Sequence, residues 1–356
     1  MYTLMTGCTG VVGVALREIF EKSEETVFYL IRDGKSRLEK GDVNVTDIDL
    51  WQIINGDLEA NVCGVDNSEI KLLSGKIEKI VHVAGSVKFD EILRDEIFHT
   101  NVEGTKNVLE LAKRIGVKEF HFVSTAYAET QRNAYEESKY KAEKLVKESG
   151  IPFSIYRIGI VVGDSTTGDI TDYTGFYGFF AGLHSLAEKQ RERVNEIVDI
   201  PIFIDCSFTS TLNLVPRDWL TETMYKLIQL ESTGETFYVT HPNPMLVNDV
   251  MKFGFKELGI SGIKYNNYLS EQPVQTKREF RVVQRGVNKT LARYKPYVTE
   301  EKHFPLDSTR TALGRSFRDP PNVTKEMLSI FLRFAIKNNF GREKESLVEK
   351  TFLVNA

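Results

Sequence analysis

Three glycines spaced three residues apart follow the first apolar segment of the chain. The sequence opens MYTLMTGCTGVVG, so Gly7, Gly10 and Gly13 lie between a strand-like run and a run with helical periodicity. Glycine loses more conformational freedom on folding than other residues, so its repeated use indicates a tight turn or a close neighbour. Between a strand and a helix, such a turn is typical of a site for the pyrophosphate of a dinucleotide. The alternative is a glycine-rich turn that binds nothing.

Strand-like and helix-like segments alternate over the first half of the chain. Apolar runs such as YTLMT, TVFYLIR, KIVHVAG and EFHFVST are separated by amphipathic runs such as NVEGTKNVLELAKRIG. This succession predicts an α/β fold with a Rossmann-type, doubly wound parallel sheet. We expect a dinucleotide-binding domain over residues 1–245, with an insertion on the substrate side at about 165–212. Residues 246–356 are expected to form a smaller, mostly helical substrate or lid region.

Composition excludes several classes of protein. The 356 residues carry a net charge of −4, which gives no overall field for binding nucleic acid. The three cysteines are far apart, the histidines have no metal-ligand spacing, and no apolar run of about 18 residues occurs. We therefore expect a cytoplasmic protein with reduced thiols, no signal peptide, no bound metal and no membrane span.

The ends of the first three strands supply the candidate cofactor contacts. In the segment YLIRDGKSR, Arg32 stands where NAD-binding proteins usually carry an acid that holds the ribose 2′-hydroxyl. A cation there suits the 2′-phosphate of NADP(H), which we favour, although the adjacent Asp33 leaves NAD open. After the third strand, Asp57, followed by Leu58, either accepts from the adenine amino group or caps the next turn. In the glycine turn the candidates are Gly7, Thr9, Gly10, Val11, Val12 and Gly13.

Hydroxyl groups and a lysine form a candidate catalytic set. The strand-like segment EFHFVST ends in Ser124 and Thr125, and Tyr135 and Lys139 follow four residues apart on a predicted helix. That spacing places the two side chains on one face of the helix, where an ammonium group would lower the pKa of the phenol. The carboxyl end of a strand faces the crevice where ligands bind in such sheets. The alternative is a surface pair, because this Tyr–Lys spacing is common.

The order of these motifs resembles the extended short-chain dehydrogenases/reductases. The segments TGCTGVVG, VHVAGSVKF, NVEGTKNVLELA, VSTAY and YEESKYKAE carry the resemblance, which covers about residues 1–245. Within that superfamily, YLIR, GIVVGDSTTGD, NLVPRDW and FYVTHPNP are most similar to fatty acyl-CoA reductases and thioester reductase domains of the male sterility protein type. One departure is Ile158, which stands where the family often has proline.

The resemblance implies roles for the candidate residues. Thr125, in preference to Ser124, and Tyr135 would hydrogen-bond the carbonyl oxygen of the substrate. Lys139 would tune Tyr135 and hold the nicotinamide ribose, and Ala84 and Gly85 would line the cofactor.

Three function classes remain open on the sequence. The first is an NADPH-dependent reductase that converts an acyl thioester, carried on coenzyme A or a carrier protein, to an aldehyde and then in some cases to an alcohol. The second is a sugar-nucleotide epimerase or dehydrogenase, or a sterol-type alcohol dehydrogenase. The neighbours of Thr125 are Ala126 and Tyr127 rather than a carboxylate, which argues against a dehydratase. The third is an NADP-binding sensor without catalysis.

Two segments outside these motifs suggest further contacts. The aromatic segment YTGFYGFFAG at 173–182 either lines an acyl tunnel or packs between the domains. The segment 276–297 has cations at every fourth position, which predicts a helix with one basic face and one apolar face. The basic face is either solvated or docks an anion: the phosphates of coenzyme A, an acidic carrier protein or a membrane surface. Its cations are Lys277, Arg281, Arg285, Lys289 and Arg293.

Overall fold

The computed structural model describes residues 2–42, 45–191, 198–199, 203–205, 207, 209–232, 234–266 and 278–342. In chain order its strands are β1 (Tyr2–Thr6), β2 (Thr26–Ile31), β3 (Ile53–Asn55), β4 (Ile77–His82), β5 (Glu119–Thr125), β6 (Phe153–Ile158), β7 (Ile160–Val162), β8 (Val198–Asp199), β9 (Phe203–Asp205), β10 (Thr211–Leu212), β11 (Leu214–Pro216), β12 (Glu235–Val239), β13 (Met245–Leu246), β14 (Ile260–Ser261) and β15 (Lys264–Asn266).

The helices are distributed between and after these strands. They are α1 (Val11–Glu21), α2 (Gly34–Glu39), α3 (Asn67–Leu73), α4 (Arg94–Phe98), α5 (Gly104–Ile115), α6 (Ala134–Glu148), α7 (Phe176–Arg191), α8 (Arg217–Ile228), α9 (Val247–Glu257), α10 (Arg278–Val298), α11 (Asp307–Leu313) and α12 (Lys325–Lys337). A π-helical turn, His99–Glu103, joins α4 to α5.

Seven parallel strands form the central sheet, in the order β12-β6-β5-β4-β1-β2-β3. The order of connection reverses between β1 and β4, so the crevice at the carboxyl ends of these two strands is the expected ligand site. One apolar core packs α3, α5 and α6 against one face of the sheet, and another packs α1, α8 and α11 against the other face. The predicted doubly wound α/β fold is confirmed.

The sixth apolar run, FSIYRIGIVVG, is divided at Gly159. Strand β6 ends at Ile158, and β7 leaves the central sheet to pair in parallel with β11. A Cβ at Gly159 would lie 2.6 Å from the Asn213 side-chain oxygen, so this close approach at the junction of β6 and β7 requires glycine. Ile160 and Val161 of β7 line the crevice, and Val162 is buried in a further apolar core.

A third apolar core lies beyond the carboxyl end of the sheet. It joins residues of α7 to residues of α9, α10 and α12, so the predicted insertion and the C-terminal region share one core. Helix α11 lies elsewhere, because Leu313 belongs to the core under the central sheet and the Thr309 hydroxyl donates to the Tyr238 carbonyl of β12 at 2.6 Å. The crevice between the sheet and this third core contains the candidate site.

Candidate active site

Two of the three glycines in the turn are required by the packing of the chain itself. Gly7 has a φ of +75°, and a Cβ there would lie 2.4 Å from the Ala84 nitrogen. A Cβ at Gly13 would lie 1.9 Å from the Gly7 carbonyl oxygen, so Gly13 lets α1 pack against the turn. At Gly10 the nearest atom would be 3.6 Å away, an ordinary contact, so packing alone does not require glycine there, and Gly10 borders the open space of the crevice. That space is where a ligand can approach the backbone.

The amino end of α1 faces this open space. Gly10 caps the helix without a side-chain hydrogen bond, and the first turn of the helix carries no acidic residue. The first N–H groups and the positive end of the helix dipole therefore face the crevice, which fits a pyrophosphate. Lining the crevice are Gly7, Thr9, Gly10, Val11, Val12, Ala84 and Gly85. Gly13 is buried behind the turn and does not line it.

The residues predicted to meet the adenosine end lie at the carboxyl ends of β2 and β3. Arg32 is exposed, and Asp33 adopts a left-handed conformation with a φ of +52°. Asp57 accepts from the Glu59 backbone N–H at 3.0 Å, which matches the capping alternative. The Leu58 carbonyl accepts from the Asn107 side chain at 2.7 Å, which fixes this loop against α5. The roles of these residues towards a cofactor stay predictions.

The structure brings Thr125, Tyr135 and Lys139 together on the wall of the crevice. Thr125 ends β5, and its side chain is hydrogen-bonded to Tyr135 on α6. One turn further along α6, the Lys139 ammonium donates to the Val123 carbonyl at 2.9 Å. A Cβ at Gly85 would lie 3.2 Å from the Lys139 nitrogen, so Gly85 leaves the ammonium accessible from the crevice.

The pKa of Tyr135 differs from the expectation based on the sequence. Desolvation raises the pKa of Tyr135 to about 12, and the hydrogen bond with Thr125 only partly opposes it. The expected lowering by Lys139 is therefore wrong for the protein alone, because the ammonium is directed to Val123 and over the Phe122 ring at 4.8 Å. Burial lowers the pKa of Lys139 to about 8, against the opposing charge of Glu143. Tyr135 is thus held as a neutral phenol, the form that can donate a proton.

Ser124 belongs to a polar cluster behind the site. Its hydroxyl donates to Glu143 at 2.6 Å and so is not directed at Tyr135. Glu143 also accepts two hydrogen bonds from Arg157, at 3.0 and 2.7 Å. Of the two adjacent hydroxyls, Thr125 is therefore the one that can act in the crevice, while Ser124 joins β5 to α6.

Asn101 is a site residue that the sequence analysis missed. It lies in the π-helical turn before α5, a feature that often marks functional positions. Its side-chain oxygen accepts from the Ser86 N–H at 2.6 Å, and its amide donates to the Ser138 hydroxyl at 2.9 Å. Ser138 in turn donates to the Tyr135 carbonyl at 2.7 Å. Asn101 thereby holds the loop after β4 against the helix that carries Tyr135 and Lys139.

The glycine turn, these polar groups and several aromatic rings line one continuous, mostly apolar cavity of about 500 Å³. From the predicted aromatic segment, Phe176, Phe179 and Phe180 line it. Tyr173 and Tyr177 pack instead: the Tyr177 hydroxyl accepts from the Gly163 N–H at 2.9 Å, and Tyr173 contacts the Phe340 ring. The segment therefore contributes to the cavity wall and to packing, each through different residues, and its contact with an acyl chain stays a prediction.

Comparison with known proteins identifies the family. The family model described as male sterility protein matches residues 5–134 and 129–224, which together run over more than half of the chain. The chain belongs to the male sterility protein family. The predicted resemblance to fatty acyl-CoA reductases and thioester reductase domains is confirmed, and the chain has the fold of a nicotinamide-dinucleotide-binding protein.

Similar sequences occur in much longer proteins. A linear gramicidin synthase of Brevibacillus parabrevis is 25% identical over 70% of this chain, which spans 5% of that protein. The fatty acyl-CoA reductase wat of Drosophila melanogaster is 24% identical over 49% of this chain, which spans 44% of the fly protein.

Solved structures share the fold over almost the whole chain. The terminal R domain of the myxalamid PKS-NRPS pathway has a TM-score of 0.72 at 22% identity, covering 95% of this chain and 91% of that one. A UDP-glucuronic acid 4-epimerase from Bacillus cereus, with NAD bound, has a TM-score of 0.63 at 15% identity, covering 95% and 99%.

Metal clusters and membrane spans are both absent from the described residues. Within those ranges, no three or more His, Cys, Asp or Glu side chains are grouped so that they could hold a metal ion. Over the same part of the chain, no helix combines the length and the apolar character needed to cross a membrane.

Proposed function

We propose that this protein is an NADPH-dependent reductase of acyl thioesters. The observation that carries the proposal is the continuity of the crevice. Thr125, Tyr135 and Lys139 line the same cavity as the glycine turn and a set of aromatic rings, so a cofactor and an acyl chain can both reach them. An acyl chain fits such a cavity better than a sugar nucleotide does, because a sugar and a diphosphate need polar partners along their length.

The residues of the site supply proton transfer and stabilisation of negative charge. Tyr135 and Thr125 donate hydrogen bonds to the thioester carbonyl oxygen, where negative charge develops during reduction. The nicotinamide, when bound, supplies a hydride to the carbonyl carbon. The C–S bond then breaks and the sulfur takes a proton. Overall, one thioester, one reduced nicotinamide and one proton give an aldehyde, a free thiol and the oxidised cofactor.

The glycine turn and the end of β2 hold the cofactor in this proposal. Gly10 and the amino end of α1 bind the pyrophosphate, and the exposed Arg32 binds the 2′-phosphate. The carrier of the acyl group is coenzyme A or the phosphopantetheine arm of a carrier protein. Relatives of both kinds support the choice, since they include fatty acyl-CoA reductases and a thiolation-reductase di-domain.

Product analysis tests the proposal. The purified chain is incubated with NADPH or NADH and with acyl-coenzyme A, acyl-pantetheine or sugar-nucleotide substrates, and the products are identified by mass spectrometry. We expect aldehyde and free thiol from the acyl thioesters, formed faster with NADPH. Turnover of a sugar nucleotide with no reduction of any thioester would replace the proposal with the epimerase or dehydrogenase alternative.

A further inference from the structure

Six aromatic rings form a continuous wall along the cavity. The wall starts at Tyr127, whose backbone N–H donates to the Thr125 hydroxyl at 3.3 Å. From there each ring contacts the next, and all six line the cavity. In order they are Tyr127, Tyr297, Phe89, Tyr294, Phe179 and Phe180, with successive centroid distances of 5.2, 6.1, 5.3, 5.7 and 5.0 Å.

Phe180 is the sixth ring of this aromatic wall, and Phe176, which also lines the cavity, packs against it at 5.1 Å. The Phe180 ring also packs against Phe255 at 6.3 Å and is 1% exposed. Val250 and Met251 of α9 line the same cavity. The Phe180 ring therefore lies where two helices that both line the cavity, α7 and α9, pack together.

The position of Phe180 depends on a glycine in the facing helix. A Cβ at Gly254 of α9 would lie 2.2 Å from Cε1 of Phe180 and 2.4 Å from Cζ. Contacts that short do not occur between real atoms, so any side chain at Gly254 must displace the Phe180 ring. Gly254 lies in the middle of a helix and has an ordinary φ. The close packing of the Phe180 ring therefore requires the small size of this glycine and not its backbone freedom.

We propose that Phe180, seated against Gly254, closes the distal end of the acyl cavity and sets the longest acyl chain that the site accepts. The inference deepens the proposed function and rests on it. An acyl chain that enters at Thr125 runs along the aromatic wall and stops at the Phe180 ring. Removing the ring lengthens the cavity, whereas a methyl group at Gly254 pushes the ring into it and shortens it.

The experiment compares variants over a saturated acyl thioester series that lengthens by two carbons at each step. In Phe180→Ala we expect the preferred chain to lengthen by about two to four methylenes, each new methylene raising kcat/KM about threefold to fourfold. In Gly254→Ala we expect the preferred chain to shorten. The double variant Gly254→Ala with Phe180→Ala should recover the longer preference, because the clash has been removed.

A control variant distinguishes the effect of lost core packing from the effect of a longer or shorter cavity. Phe331→Ala removes a fully buried ring from the same core, and Phe331 does not line the cavity. We expect this variant to lose stability and to keep the chain-length preference of the wild type. Should Phe180→Ala fail to fold, Gly254→Ala still decides the question. An unchanged chain-length preference in folded Phe180→Ala or Gly254→Ala would overturn the inference.

A binding series keeps this test independent of turnover. Free fatty acids of increasing length are used to displace a fluorescent fatty acid from the cavity of each variant. If the wild type reduced no thioester, the proposed reaction would fail, while displacement would still report the cavity length. Identical displacement profiles for the wild type, Phe180→Ala and Gly254→Ala would reject Phe180 as the end of the cavity.

Discussion

Lys139 carries a charge at a position that is almost fully buried. The side chain is 5% exposed, and its ammonium donates to the Val123 carbonyl at 2.9 Å. Burial lowers its pKa to about 8 because the charged form loses its hydration, and Glu143 offsets only part of that loss. The protein therefore keeps an ammonium group beside the cofactor space at pH 7 that is close to losing its proton.

A pH dependence follows from this pKa. Below about pH 8 Lys139 is charged and can hold the ribose hydroxyls, and as the pH rises through 8 it becomes neutral. We expect kcat/KM for NADPH to fall over that range with the slope of one proton. In Lys139→Arg the fall should vanish, because arginine stays charged. A flat profile for the wild type between pH 7 and pH 9 would contradict the role given to Lys139.

Arg32 provides a second test at the scale of one residue. If it binds the 2′-phosphate, Arg32→Ala should raise the Kd for NADPH by about tenfold to a hundredfold, since a charged hydrogen bond contributes about 1.5–3 kcal/mol. The Kd for NADH should barely change. Lys40→Ala is the matched control, because it removes an exposed cation at the carboxyl end of α2, the short helix that follows Arg32. Equal affinity of the wild type for both cofactors would refute the assignment.

The grouping of Thr125, Tyr135 and Lys139 could be predicted because their arrangement is local. Tyr135 and Lys139 share one helix, and Thr125 ends the strand before it, so spacing alone brings them close. Asn101 could not be predicted, because its partners Ser86 and Ser138 come from distant segments and its position depends on a π-helical turn. The raised pKa of Tyr135 was also missed, since the sequence does not show which way the Lys139 ammonium points.

At the scale of one element, α10 has the two faces that the sequence predicts. Arg281, Arg285 and Lys289 are exposed, while Val287 and Leu291 are buried in the third core. Lys277 and the side chains of Phe280, Val283 and Arg293 lie outside the described residues. The same helix supplies Tyr294 and Tyr297 to the aromatic wall, which the sequence analysis missed because those rings meet Phe89 and Tyr127 only in the folded chain.

Charge reversal tests whether the exposed face of α10 docks an anion. If it does, Arg281→Glu with Arg285→Glu should raise KM for the thioester several-fold and leave the Kd for NADPH unchanged. The wild-type KM should also rise with salt, because screening weakens the attraction. Lys252→Glu with Lys256→Glu makes the same change of charge on exposed positions of α9 and serves as the control. An unaltered thioester KM would leave a solvated face as the explanation.

At the scale of the whole molecule, Arg132 joins the catalytic helix to α10. Its guanidinium pairs with the buried Glu136 at 2.7 Å and donates to the Pro296 carbonyl at 2.8 Å. It also lies over the rings of Tyr127 and Tyr297, at 5.0 and 4.6 Å from their centroids. One side chain thereby fixes the start of the aromatic wall next to the residues that we propose act on the substrate.

Removal of this connection should destabilise the protein strongly. Arg132→Leu leaves the carboxylate of Glu136 buried without its cation, so we expect a loss of about 3 kcal/mol in the free energy of unfolding, measured with urea. Arg114→Leu is the control, because Arg114 pairs with Glu110 in an exposed position on α5 and should contribute less than about 1 kcal/mol. Equal losses in the two variants would show that Arg132 contributes no more than a surface ion pair.

The fold of the domain predicted over residues 1–245 could be derived from the sequence more fully than the packing of the remaining helices. Its strands and helices repeat with clear periods, and parallel strands buried on both faces read as continuous apolar runs. The third core could not be assembled in this way, because it collects α7, α9, α10 and α12 from segments separated by more than a hundred residues. The position of α11 on the central sheet depends on such long-range contacts as well.

The proton donor is the central claim, and one variant tests it most directly. Tyr135→Phe keeps the ring and removes only the hydroxyl that is hydrogen-bonded to Thr125. We predict that kcat for acyl thioester reduction falls by about a hundredfold or more while the Kd for NADPH stays nearly unchanged. Tyr140→Phe, on the same helix, should keep the wild-type kcat. A kcat close to that of the wild type in Tyr135→Phe would contradict the mechanism.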